Sequence, residues 1–149
     1  MIHTKRVDHT DLDFQELVQL LDAELAERDG AENQFYAQFN GIEALKNVIL
    51  VMKGNQAVAC GAFKPFDEQA VEIKRMYVRQ EQRGKGYAGK VLAALETWAR
   101  DLGYTRIILE TGKRQYEAVG LYQKHQYERI KNFEPYLGIA NSLCFAKTL

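Results

Sequence analysis

Phe14, Leu17, Val18, Leu21 and Leu25 recur at intervals of three and four, so the spacing predicts an amphipathic helix with one buried face. Asp13 with Glu16 supplies a capping-box-like start, and Gly30 a stop. Residues 2–7 before it read as a short strand, and a shorter helical piece over residues 31–39 after it carries Phe35, Tyr36 and Phe39. The run Val48-Ile49-Leu50-Val51-Met52, the pair Gly54-Asn55 and the stretch 56–63 read as a β-hairpin, ended by Pro65 and the polar Asp67-Glu68-Gln69. Residues 70–78 form the next strand, followed by a polar loop over 79–83. Helical periodicity returns with Ala88, Val91, Leu92, Leu95, Trp98, Ala99 and Leu102, and Gly103 ends it. A strand at 105–111, a helix over 115–125 with Ala118, Leu121 and Tyr122 near one face, and strands at 127–130 and 143–147 follow. The order predicts an α/β fold in which one mixed sheet is flanked by helices.

Composition narrows this picture. With 149 residues, 46% hydrophobic and 27% charged, the chain is expected to form a single domain over 1–149, because chains of this size bury roughly 70% of their unfolded surface. Lys and Arg number 20 against 20 Asp and Glu, so the net charge is zero. That removes the bulk electrostatic argument for a nucleic-acid or membrane partner and makes any charge-driven chemistry local. Cys60 and Cys144 sit in apolar surroundings and form no disulfide framework or ligand cluster, so both are expected to be reduced and packed as small hydrophobes. His3, His9 and His125 lack zinc spacing, and no metal is expected. The start of the chain carries no signal-peptide run, and no stretch approaches the ~20 apolar residues of a membrane span. The expectation is a soluble cytoplasmic protein.

The most informative stretch is Gly84-Lys85-Gly86-Tyr87-Ala88-Gly89, which follows a strand and opens a strongly periodic helix. Glycines let a ligand approach the backbone closely, and the N–H groups at a helix start bind anions, diphosphates above all. Arg83, Lys85 and Lys90 add local positive charge. Read literally, the six residues also satisfy the dinucleotide fingerprint G-x-G-x-x-G, with Glu110 about twenty residues further on where a ribose-binding acid belongs. That fingerprint needs its first glycine at the strand-to-helix turn, whereas Arg79-Gln80-Glu81-Gln82-Arg83 separates Val78 from Gly84. A nicotinamide or flavin oxidoreductase is therefore the lesser alternative, and a G-x-x-x-x-G-K-[ST] phosphate loop is excluded because neither glycine run is followed by Lys-Ser or Lys-Thr.

Arg83-x-x-Gly86-x-Ala88, preceded by Met76-Tyr77-Val78 and followed by an amphipathic helix, resembles the acyl-coenzyme A signature R/Q-x-x-G-x-G/A of the GNAT superfamily of N-acetyltransferases. Downstream, Gln115-x-x-Ala118-x-x-Leu121-Tyr122-x-Lys124 is similar to its N-x-x-A-x-x-L-Y-x-K segment, with Gln115 in place of the usual asparagine and Gln126 where the family often has glycine. The resemblance covers residues 48–149. It implies a mixed, mostly antiparallel central sheet, acetyl-coenzyme A as co-substrate, and a diphosphate held by backbone amides of Arg83, Gly84, Lys85, Gly86, Tyr87 and Ala88. It further implies that main-chain groups of Met76, Tyr77 and Val78 hold the pantetheine arm, with Gln115 and Lys124 as further contacts and Tyr122 near the sulfur. Dimers are common in the superfamily, which makes a homodimer an arrangement to check.

Acetyl transfer to an amine needs a deprotonated nucleophile, stabilisation of the developing oxyanion, and a proton for the departing thiolate. The resemblance places Glu72 where histone-acetyltransferase-like members carry a general-base glutamate; the alternative is an ion pair with Lys74 on the same strand face. Glu110 is the second candidate base, or else pairs with Arg75 or Lys74. Tyr122 reads as the general acid, or as a packing residue beside Ala118 and Leu121. A main-chain N–H near Met76 or Tyr77 would meet the oxyanion. Glu24, Glu27, Asp29 and Glu32 either attract a cationic amine or form a solvated acidic face. Phe35, Tyr36, Phe133 and Tyr136 either line an acceptor pocket or pack the sheet. The expected activity is transfer of an acetyl group to a primary amine of a small molecule, or of a peptide, by direct attack without a cysteine intermediate. A non-catalytic acyl-coenzyme A sensor is the alternative within the same fold.

Overall fold

The computed structural model describes residues 1–30 and 41–149, and the helical piece expected at 31–39, with Glu32, Phe35, Tyr36 and Phe39, lies outside the described residues. Helix α1 (Leu12–Asp29) starts at Asp11, whose carboxylate accepts from the Phe14 N–H at 2.9 Å. The cap is thus two residues earlier than Asp13. Asp11 has the extended backbone that aims a side chain at the first orphan amides, while Asp13 lies inside the first turn, where its charge suits the positive helix end. Gly30 closes the helix at φ 55°.

The remaining elements are β1 (Ile2–Val7), β2 (Asn47–Lys53), β3 (Gln56–Pro65), β4 (Ala70–Val78), α2 (Tyr87–Asp101), β5 (Arg106–Gly112), α3 (Tyr116–Lys124), β6 (Glu128–Ile130) and β7 (Ser142–Thr148). The strands form a seven-stranded sheet in the order β1-β2-β3-β4-β5-β7-β6. Only β4 and β5 are parallel neighbours, so the sheet is mixed and mostly antiparallel, as the element order requires. The expected boundaries hold to within two residues, with β3 running on to Pro65. No described helix is long and apolar enough to cross a membrane.

Alternation along the strands sorts the side chains into two cores. Val71, Ile73, Ile107 and Leu109 join Val91, Leu92, Leu95 and Ala99 of α2 and Tyr122 of α3 on one face. On the other, Val48, Leu50, Cys60 and Ala62 meet Phe14, Leu17, Val18 and Leu21 of α1. A smaller cluster of Tyr136 with Cys144 covers the β7 side of that second face.

The feature that positions everything else is an irregularity in β4. Register with β3 shifts between Cys60 and Ala62, and opposite that point Arg75 has φ 61°. The extra residue is a β-bulge, which bends its strand and resets which side chains face which way. Parallel pairing of β4 with β5 runs from Ala70↔Arg106 to Ile73↔Leu109 and goes no further. Beyond it, the C-terminal halves of both strands flank a cleft.

Across from the bulge, Gly61 leaves room that the bent strand and α2 fill: a methyl built there would stand 2.5 Å from Met76 Sδ and 2.6 Å from Val91 Cγ1. Gly61→Ala should therefore destabilise the fold by about 1–3 kcal/mol through overpacking. Chemical denaturation reads the difference, and an unchanged midpoint would show that this contact is slack.

Candidate active site

The cleft between the diverging strands encloses about 930 Å³ and is walled by β4, β5, the loop into α2, α3 and the inner side of α1. At one end, Gly84 and Gly86 have φ 80° and 83°, a region that only glycine enters without strain. A Cβ at either would meet nothing within 4 Å, so backbone conformation demands glycine there and the space above is open. Gly86 is the N-cap of α2 and supplies no side-chain bond, and its carbonyl accepts from the Lys90 N–H at 3.2 Å. The N–H groups of Tyr87, Ala88 and Gly89 therefore face the cleft as orphan donors, a ready anion site. The Tyr87 ring itself is buried in the core, so only its backbone serves the cleft.

Arg83 is engaged within the protein. Its Nε donates to Val78 O at 3.0 Å, its guanidinium bonds Glu24 at 2.8 Å and lies 5.4 Å from the centre of the Tyr77 ring. It shapes the loop more than it offers a cation. Lys85 reaches Gln82 at 3.1 Å on the surface, and Lys90 and Lys124 are exposed along the rim. Met76, Tyr77 and Val78 present a strand edge that β5 does not pair. Gln115 precedes α3, accepts from Arg28 at 3.1 Å through Oε1, and leaves Nε2 buried with no hydrogen-bond partner among the described residues.

The candidate catalytic residues separate. Glu110 and Tyr122 both line the cleft, from β5 and α3. Tyr122 is 4% exposed, its ring set between Tyr127 and Phe145 at 5.8 and 6.1 Å. Burial, then the charge of Glu110, raises its phenol above the usual tyrosine value, so it is protonated at neutral pH. Glu72 is buried on β4 outside the cleft lining, with Lys74 Nζ 3.3 Å away. Lys74 in turn donates to Tyr136 at 3.1 Å. The ion-pair alternative thus describes the placement of Glu72.

Several residues reach the cleft that the sequence did not single out: Leu21, Leu25 and Arg28 of α1, Thr111 and Gly112 of β5, and His125. Arg28 binds Glu117 through both carboxylate oxygens at 2.9 and 3.1 Å, and that hydrogen bonding holds the Glu117 carboxyl down at about 2. Of the acidic group on α1, Glu24 holds Arg83 and Glu27 is exposed. Phe133 and Tyr136 do not line the cleft; they pack edge to face with each other, with Phe66 against Phe133. Burial pushes the Cys60 thiol up to about 12 and the Cys144 thiol up to about 11, so neither is a thiolate nucleophile. No group of three or more potential metal ligands occurs among the described residues.

An amide-rich anion loop, an open strand edge, and a glutamate and a protonated tyrosine thus line one cleft. Residues 14–127 match the acetyltransferase (GNAT) family, and the chain belongs to that family. Over 95 residues, 60% of the chain, it is 32% identical to the rat (Rattus norvegicus) protein named N-acetyltransferase family 8 member 2, and spans 41% of that relative's length. The crystal structure of a putative acyl-CoA N-acyltransferase from Klebsiella pneumoniae superposes with a TM-score of 0.83 at 30% identity, covering 100% of this chain and 98% of that one. A GNAT family acetyltransferase from Elizabethkingia anophelis, solved with acetyl-CoA bound, shares the fold with a TM-score of 0.70 at 18% identity, covering 99% and 98% of the two chains.

The raised Tyr122 phenol has a consequence for stability. Because folding favours the neutral form, its contribution is complete below the unfolded value of about 10 and is lost as pH rises through the folded value. Tyr122→Phe should shift alkaline unfolding to higher pH, and ultraviolet titration of the folded protein should count fewer than the 8 tyrosines of the sequence. Ionisation of all of them near pH 10 before unfolding would contradict the burial argument.

Proposed function

We propose that this chain is an acetyl-coenzyme A-dependent N-acetyltransferase that acetylates the primary amine of a small molecule by direct attack in a ternary complex. The observation that carries the reading is the convergence, in one cleft, of the orphan amides of the α2 start with Glu110 and Tyr122. The residues fit the coenzyme. The amides of Tyr87, Ala88 and Gly89 and the open glycine turns suit a diphosphate, the Met76–Val78 edge suits the amide-bearing pantetheine arm as an added strand, and the orphan Nε2 of Gln115 suits an acceptor on that arm. When bound, acetyl-coenzyme A supplies an activated thioester carbonyl.

An alkylammonium has a pKa of about 10.4, so at neutral pH the acceptor needs a base. Glu110 fits that role because its side chain borders the cleft, whereas Glu72 is turned to Lys74. Tyr122 keeps its proton at neutral pH and can donate it to the leaving thiolate. Leu21, Leu25 and Arg28 border the acceptor side, and the Arg28–Glu117 tie crosses from α1 to α3. This favours a small amine over a protein lysine.

Thiol release from acetyl-coenzyme A across polyamines, amino acids, aminoglycosides and lysine peptides tests class and acceptor together. Turnover with a small amine and intersecting initial-velocity lines are expected; coenzyme binding without thiol release from any amine would make the protein a sensor. Glu110→Gln should lower kcat/KM by about 10²-fold and abolish the acidic limb of the pH–rate profile, with Glu72→Gln retaining it. The reverse pattern would move the base to Glu72. Tyr122→Phe should lower kcat by about 10²-fold with little change in coenzyme affinity, and a full-rate variant would return Tyr122 to packing.

A further inference from the structure

His125 follows the last residue of α3, its backbone N–H bonded to Leu121 O at 3.0 Å, and its side chain borders the coenzyme cleft beside Lys124. The imidazole lies on the first turn of α2. A methyl group built at Gly89 would stand 3.1 Å from both Cε1 and Nε2 of the ring, closer than ordinary van der Waals contact. Gly89 is therefore a notch that seats the ring beside the orphan amides of Tyr87, Ala88 and Gly89. Among the described residues no hydrogen bond or ion pair engages the imidazole, which is half-buried.

The charged groups on the elements bordering the cleft include Lys90 on α2, Arg83 and Lys85 on the loop before it, Lys124 beside His125, Glu24 bound to Arg83, Glu117 bound to Arg28, and Glu110 on β5. A phosphate seated at the helix start would favour a charged ring beside it, because an opposite charge within a few ångströms stabilises the protonated imidazole.

We propose that His125 is a phosphate ligand of this cleft, meeting a phosphate group of the coenzyme beside the α2 amides and taking up a proton from solvent as that phosphate binds. The inference rests on reading the cleft as an acyl-coenzyme A site. The diphosphate and the 3′-phosphate present the same chemistry, and the experiment separates them.

Calorimetric titration with acetyl-coenzyme A, in two buffers of different ionisation enthalpy between about pH 6 and about pH 8, counts the protons taken up. The wild type should bind more tightly as pH falls, by about tenfold for each unit by which binding raises the imidazole pKa, with uptake of a fraction of a proton near neutrality. His125→Gln should lose both the pH dependence and the uptake. Gly89→Ala, which suits a helix better than glycine, should weaken binding while leaving the melting temperature unchanged or higher. S-acetylpantetheine, which carries no phosphate, should bind wild type and His125→Gln equally; a general structural defect would weaken both ligands.

Uptake retained with dephospho-coenzyme A assigns His125 to the diphosphate, and uptake lost with it assigns the 3′-phosphate, provided in each case that His125→Gln abolishes it. Uptake that persists in His125→Gln belongs to the coenzyme's own phosphate monoester, which titrates near 6, and overturns the proposal. So does wild-type affinity in both variants. Failure of the wild type to bind acetyl-coenzyme A at all would instead refute the reading of the cleft.

Discussion

Arg75 holds φ 61° in the middle of a strand, a conformation that costs a non-glycine residue about 1–3 kcal/mol. Its side chain shows what offsets that cost. The guanidinium is buried, paired with Asp22 and donating to Val18 O at 3.4 Å, so the bulge is tied to the body of α1. Everything functional depends on this backbone irregularity. Without it β4 would continue alongside β5 past Ile73↔Leu109, the two strands would share a ladder where the cleft lies, and Met76–Val78 would have no edge to offer.

The same helix that fixes the bulge also fixes both flanks of the cleft. Asp22 holds Arg75, Glu24 holds Arg83 in the loop before α2, and Arg28 holds Glu117 and Gln115 at the start of α3. These three positions lie along the second half of α1. Two acids of that half, Asp22 and Glu24, are thus consumed in internal ion pairs, and Glu27 stays exposed. Arg28–Glu117 lies nearest the solvent, and an exposed pair contributes about 0–1 kcal/mol, so its role is to set geometry more than to supply stability.

What could be read from the chain, and what could not, follows from the same bulge. The α2 start and the spacing from Gln115 through Ala118, Leu121 and Tyr122 to Lys124 are local signals, set by helix periodicity and by the conformational freedom of Gly84 and Gly86; they place these residues on the cleft correctly. Glu72 is different. Counting back by twos from Val78 puts Met76, Lys74 and Glu72 on one face, but the extra residue at Arg75 reverses the alternation. Val78 and Met76 face the α2 side with Ile73 and Val71, while Lys74 and Glu72 face the side where Tyr136 lies. No residue type announces such a bulge: arginine at positive φ has no sequence signature, and its partner Asp22 is remote in the chain. Nor could His125 be read, because its seat depends on Gly89, and a third glycine in a glycine-rich loop looks like part of the loop.

A chain of zero net charge can still present a local positive field. Arg83 is committed to Glu24 and to Val78 O, and Lys85 to Gln82, so the nominal cations of the loop are largely spent on its shape. Beyond Lys90 and Lys124 on the rim, the field that remains comes from backbone dipoles. Three orphan amides at the α2 start, aligned with a fifteen-residue helix, carry a partial positive charge that needs no counterion and no side-chain ordering on binding. Fixed dipoles of this kind are directional: they favour an anion seated at the helix start over one elsewhere on the surface. A neutral chain can therefore select a small phosphorylated ligand without attracting a polyanion, for which a continuous basic surface would be needed.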